Sequence, residues 1–97
     1  MIWLLEGQHK ASKGLIRVSL GVEDGMITKV VISGDFFMYP EDKLWDLEKS
    51  LIGVKVDRYT ILGRIKRFYK ENGILTPGAK PEDFTEAIMK AVEGQRV

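Results

Sequence analysis

The sequence predicts an α+β domain in which a small antiparallel three-stranded sheet is followed by three helices packed on one of its faces. Three observations lead there. Residues 14–22 alternate apolar and polar side chains, the pattern of a half-buried strand. Beyond Pro40 the apolar spacing changes to that of helices, and no strand pattern returns. Strands first and helices afterwards leave no βαβ unit, so the helices must form a layer on the sheet.

The elements follow in order. Residues 2–10 start apolar, turn polar at Glu6 and supply one strand. In residues 14–22, Ile16, Val18, Leu20 and Val22 share one face, while Arg17 and Ser19 take the other. Asp24-Gly25 is a turn signal, and the β-branched run from Met26 to Ser33 completes an antiparallel hairpin over residues 14–33. Pro40 suits a first helical position, Glu41 and Asp42 suit the positive end of a helix dipole, and Leu44, Leu47 and Leu51 line one face of a helix stopped by Gly53. Asp57 N-caps a second helix whose stripe is Ile61, Leu62, Ile65, Phe68 and Tyr69, ending at Asn72-Gly73. Gly63 inside it marks close packing or a weak spot. After the Thr76-Pro77-Gly78 turn, Pro81-Glu82-Asp83 opens a third helix carrying Phe84, Ala87, Ile88, Ala91 and Val92 at helical spacing. With no repeat, low-complexity tract or long linker, residues 1–97 read as a single domain.

Composition removes several function classes. A chain of 97 residues has room for one core, and its formal charge of +1 gives no net field to attract nucleic acid or an acidic membrane surface. The absence of cysteine removes disulfides, thiolate catalysis, Fe–S ligation and thiolate zinc sites together. The N-terminus lacks a basic region and a signal-like apolar run, and no segment reaches the length of a membrane span. The expectation is a soluble, cytoplasmic protein.

The most informative stretch is Ile32-Ser33-Gly34-Asp35-Phe36-Phe37-Met38-Tyr39-Pro40, where a strand ends and a helix is about to begin. Gly34 permits close backbone approach, Asp35 can pair with a cation or cap backbone N–H groups, and Phe36 and Phe37 offer a large apolar surface. Both rings cannot point the same way on an extended backbone, so one is expected inward and one outward. Lys10 and Lys13, with Gly14, flank the connection at one end of the sheet and can project toward an anion or an acidic partner.

Other constellations are weaker. His9 is the only histidine and reads as a plain strand or surface residue, which excludes a histidine-rich metal site. Glu41, Asp42, Asp46 and Glu48 suit a solvated helix face better than acid–base chemistry. Neither a Walker pattern nor a GxGxxG phosphate loop occurs. Lys55, Arg58, Arg64, Lys66, Arg67 and Lys70 make one face of the second helix basic, which keeps a small RNA-binding or protein-interaction module as the alternative. A solvated face accounts for these cations more simply, because exposed strand aromatics for base stacking are not evident.

The ordered set Lys10-Ala11-Ser12-Lys13-Gly14-Leu15-Ile16-Arg17-Val18, Glu23-Asp24-Gly25-Met26-Ile27, Ile32-Ser33-Gly34-Asp35-Phe36-Phe37, Pro40-Glu41, Gly53-Val54 and Pro81-Glu82-Asp83-Phe84 resembles the C-terminal accessory domain of lipoate-protein ligases. The pairing of Lys-Gly-Leu-Ile with Gly-Asp-Phe-Phe is its most specific part. The resemblance implies a fold akin to Fe–S assembly proteins of the SufE and NifU type, although the lack of cysteine argues against their activity. It further implies a part of an ATP-dependent ligase that activates lipoate as lipoyl-AMP and transfers the lipoyl group to an acceptor lysine. Where such domains are fused, a larger catalytic domain precedes them; here Met1 stands just ahead of the first strand, which resembles the free small subunit of a bipartite, archaeal-type ligase. The implied partner is the catalytic large subunit in a heterodimer, with lipoyl-acceptor domains met indirectly and no membrane or nucleic acid. This chain alone is then expected to be non-catalytic and to bind no cofactor, with ATP, Mg and lipoate on the partner. The residues expected at the partner interface are Lys10, Lys13, Gly14, Leu15, Gly34, Asp35, Phe36 and Phe37.

Overall fold

The computed structural model describes residues 4–94 and has the expected α+β order: β1 (Leu5–Ala11), β2 (Gly14–Glu23), β3 (Met26–Gly34), α1 (Lys43–Ser50), α2 (Arg58–Asn72) and α3 (Pro81–Glu93). The part of the first predicted strand at Ile2 and Trp3 lies outside the described residues. The three strands form an antiparallel meander in the order β1-β2-β3. The Asp24-Gly25 turn joins β2 to β3 with positive φ at both residues, 52° and 76°, the backbone hand that matches strand twist. A register shift at Gly21/Val22 bends the far end of the hairpin.

Strand alternation separates the two faces of the sheet. Ile16, Val18, Leu20, Ile27, Val30 and Ile32 are buried, whereas Glu6, Gln8, Lys10, Arg17 and Ser33 are exposed on the other side. The helices lie on the apolar face: α3 covers β1 and β2, α1 lies against β3, and α2 packs on α3 and α1. Phe84, Ala87, Ile88 and Ala91 bury the inward stripe of α3. That helix comes close because β1 carries Gly7 beneath it; a Cβ there would stand 2.7 Å from the Ala87 carbonyl oxygen.

Cap chemistry sets most boundaries as the sequence indicates. The Asp57 carboxylate accepts from the Thr60 amide at 3.0 Å and from its hydroxyl at 2.8 Å, and these bonds hold its pKa below the ordinary value. Gly73 closes α2 in the left-handed region at φ 61°. For α3, the Asp83 carboxylate accepts from the Lys80 amide at 2.8 Å. The first helix departs from expectation, because it begins at Lys43 and Pro40 lies ahead of it. The reason is tertiary: Tyr39 is held in a short bridge with Leu75, its amide donating to the Leu75 carbonyl at 2.8 Å and its carbonyl accepting at 2.9 Å, so the chain is still extended there.

Among the described residues, no helix is long and apolar enough to cross a membrane.

Candidate partner-docking site

The junction starts from two glycines. β2 begins beside the end of β3, with Ile16 opposite Gly34. Gly14 and Gly34 have φ of 133° and 141°, a region L side chains rarely adopt. A Cβ on Gly34 would collide with the Leu15 carbonyl oxygen, and one on Gly14 with the Asp35 carbonyl oxygen. This close approach lets Asp35 bond Leu15 twice: its amide donates to the Leu15 carbonyl at 3.1 Å, and its carboxylate accepts from the Leu15 amide. The aspartate thus caps a strand, one of the two roles its chemistry permits.

Beyond this clasp the two phenylalanines part. The Phe36 ring meets Phe84 edge-on, with centroids 5.1 Å apart and planes at 90°, and plugs the end of the core. Phe37 points out and is 68% exposed. Alternation continues through buried Met38 to Tyr39, which is 50% exposed, and the bridge sets Tyr39 beside Leu75, which is 66% exposed. Phe37, Tyr39 and Leu75 are therefore large apolar groups left uncovered next to the junction. Two shallow cavities flank Gly34: one of about 330 Å³ bordered by Phe37, Glu41 and Leu44, and one of about 280 Å³ bordered by Leu15, Arg17 and Asp35.

The structure brings Gly14, Leu15, Gly34 and Asp35 into one hydrogen-bonded unit, with Phe36 and Phe37 as its continuation. Lys10 lies across the strand pair from Leu15 and is exposed. Lys13 is tied elsewhere by its backbone, its amide donating to the Gly78 carbonyl at 2.9 Å while its stem packs on that glycine. Neither lysine takes part in an ion pair among the described residues. Sequence reasoning missed Tyr39 and Leu75; the exposed–buried–exposed run Phe37-Met38-Tyr39 carried the only local signal.

His9 has a more specific place than a plain strand residue. Its Nε2 bonds the Asp83 carboxylate at 3.1 Å, and its Nδ1 faces the Lys90 ammonium at 2.9 Å. Because an ammonium can only donate, Nδ1 accepts from Lys90. Both ring nitrogens are engaged, so the ring ties α3 to β1 rather than offering a free base. Among the described residues no three histidine, aspartate or glutamate side chains cluster as metal ligands do.

Part of the basic face of α2 is engaged internally. Arg58 pairs with Glu86 and, at 3.8 Å, with Glu93; Lys66 pairs with Glu82 at 3.5 Å; Arg67 pairs with Glu71 at 3.4 Å. Arg64 donates to the Ser50 carbonyl at 3.0 Å. Three of the six cations on this face are thus paired, Lys55 and Lys70 are in no ion pair among the described residues, and the face offers less free charge to phosphates than the sequence suggested.

The fold and the junction define a class, a small α+β domain in which a glycine-spaced clasp leaves Phe37, Tyr39 and Leu75 exposed beside it. A family model described as bacterial lipoate protein ligase C-terminus matches residues 5–88. The chain is 46% identical over 79 residues to lipoate-protein ligase A subunit 2 of Thermoplasma acidophilum, covering 81% of each sequence. It superposes, with a TM-score of 0.81 and 43% identity over 91% of this chain and 97% of the other, on a solved structure from the bi-partite lipoate protein ligase and E2 lipoyl domain of the same organism. The chain belongs to the lipoate protein ligase C-terminal family.

Proposed function

We propose that this chain is the accessory subunit of a bipartite, ATP-dependent lipoate-protein ligase. It acts with a separate catalytic subunit to activate lipoate as lipoyl-AMP before transfer to an acceptor lysine. The observation that carries this reading is its match, along 97% of that chain's length, to a chain from a bi-partite ligase. ATP, Mg and lipoate are assigned to the catalytic subunit, as the resemblance to lipoate-protein ligases implies. The subunit is placed in the cytoplasm, and residues 1–97 are taken as one accessory domain.

Mechanistically, the junction of Gly14, Leu15, Gly34 and Asp35 is a stiff platform that presents Phe37, with Lys10 and Lys13 at its margin. Docking of this surface orders the active-site loops of the catalytic subunit, a conformational completion of the site rather than bond-making by this chain. Phe37, flanked by a cavity and by Tyr39 and Leu75, has the form of an aromatic anchor.

The test is pyrophosphate release from ATP and lipoate. The isolated chain is expected to give none, and mixing with the catalytic subunit to raise the rate above that of the catalytic subunit alone. No gain on mixing overturns the proposal.

A further inference from the structure

The first helix carries an aromatic side chain that the core does not use. Trp45 is 68% exposed, as much as Phe37, although Leu47 on the same helix is fully buried. Its flank of the helix is identified by Glu48, whose carboxylate accepts from the Ile32 amide at 2.6 Å and therefore lies on the side of α1 that faces β3. Trp45 stands three residues before Glu48, on that side.

The same side borders the cavity of about 330 Å³ at the end of β3. Buried Ile32 and Met38, half-buried Phe36 and Leu44, and exposed Phe37 and Glu41 line it, so apolar groups form its depth. The Leu44 amide donates to the Glu41 carbonyl at 3.4 Å, which shows that the chain is already coiled there and sets Trp45 about one turn beyond Glu41. Phe37 approaches the cavity from the strand and Trp45 from the helix. The rim between them is acidic: Glu41 and Asp42 are exposed and in no ion pair among the described residues, whereas Lys43 is already paired with Asp46 at 3.7 Å.

We infer that this cavity seats a large apolar side chain of the catalytic subunit between Phe37 and Trp45, with basic residues of that subunit flanking it and meeting Glu41 and Asp42. The inference rests on the proposed function for the identity of the partner and extends the docking surface from the junction onto α1. Continuity supports it, because Gly34, Phe36 and Phe37 belong both to the junction and to the cavity. Charge selects the occupant. A two-fold contact of this patch with a second copy sets Glu41 and Asp42 of each chain against the same carboxylates of the other, which opposes self-association. The same rim repels phosphate polymers and anionic lipid. An apolar centre flanked by aromatic rings, with a charged rim, is the arrangement in which a few side chains carry most of a binding energy.

The experiment uses the full chain in the heterodimer. With 5-fluorotryptophan incorporated into this chain alone, its two tryptophans give two fluorine resonances, and Trp45→Phe assigns one of them. On complex formation the Trp45 resonance should shift and lose most of its H2O/D2O solvent shift as the ring is desolvated. Trp45→Ala should weaken the heterodimer about tenfold or more, and Trp45→Phe by no more than about threefold. Glu41→Gln combined with Asp42→Asn should slow association severalfold at low salt and flatten its salt dependence. An unchanged Trp45 resonance in a complex that still releases pyrophosphate overturns the inference and leaves the proposed function standing. Association that quickens as salt rises overturns the basic flank. A Trp45 resonance that shifts with concentration in the absence of the catalytic subunit overturns the inference in favour of self-association. Failure of the two subunits to associate overturns both.

Discussion

Asp35 and Leu15 are bonded to each other twice, amide to carbonyl at 3.1 Å and carboxylate to amide, across a gap that only two glycines keep open. This relationship makes the end of β3 and the start of β2 one rigid unit, and the aromatic pair that follows inherits its direction. The exposed position of Phe37 thus rests on a backbone arrangement rather than on contacts of its own ring.

Removing the clasp should therefore be felt in stability. Asp35→Ala loses the side-chain bond and keeps the backbone one, a cost of about 1 kcal/mol that lowers Tm by roughly 4–8 °C in a domain of this size. Gly34→Ala should cost more, of order 1–3 kcal/mol, because it adds backbone strain and a collision with the Leu15 carbonyl. Thermal melts of the free chain check both; an unchanged Tm for Gly34→Ala rules out the close approach.

The two phenylalanines should separate stability from function. Phe36→Ala opens a gap against Phe84 and is expected to destabilise the free chain by about 2 kcal/mol, less than for a fully buried ring. Phe37→Ala should leave stability within about 0.5 kcal/mol and sharply reduce partner-dependent pyrophosphate release. Equal effects of Phe37→Ala on both would make it a structural residue.

Tyr69 gives the fold a sensitivity to alkali. Burial pushes its hydroxyl up to about 12 from 10.0, against the opposing bond to Thr76 at 2.8 Å. A phenol whose pKa is raised in the fold ionises first in the unfolded chain. The stability it lends is present below pH 10 and is lost as pH rises from 10 towards about 12. Denaturant unfolding across that range should show a steeper loss for the native chain than for Tyr69→Phe, the lysines being common to both. Parallel curves would exclude the raised pKa.

Much of this architecture could be read locally. The Asp24-Gly25 hairpin, the Asp57 and Gly73 caps and the stripe of α3 each depend on neighbours within a turn or two, and each appears where the sequence puts it. What could not be read depends on distant partners. Pro40 looked like a helix start because nothing nearby shows that Tyr39 pairs with Leu75. His9 looked ordinary because Asp83 and Lys90 are 74 and 81 residues away. At the junction of β2 and β3, Gly34 to Phe37 stood out by composition, while its cross-strand partner Leu15 entered only through family resemblance.

Gly63 resolves an ambiguity of the sequence and yields the last prediction. A glycine inside a regular element either admits a close neighbour or weakens the element, and the two cases demand opposite outcomes on substitution. Gly7 and Gly63 represent them here. At Gly7 an added Cβ would run into the backbone of α3, so Gly7→Ala must push the helix off the sheet and destabilise the fold. At Gly63 nothing lies within 4 Å of the added atom and the residue is exposed on α2. Gly63→Ala should therefore raise stability by about 0.5–1 kcal/mol, by lowering the entropy of the unfolded chain and removing a poor helix former. Denaturant midpoints of the two variants should move in opposite directions. Because Gly63 touches neither the Gly34 junction nor the cavity beside Phe37, Gly63→Ala should leave partner-dependent pyrophosphate release unchanged; a loss of release with a gain in stability would place the docking surface on α2.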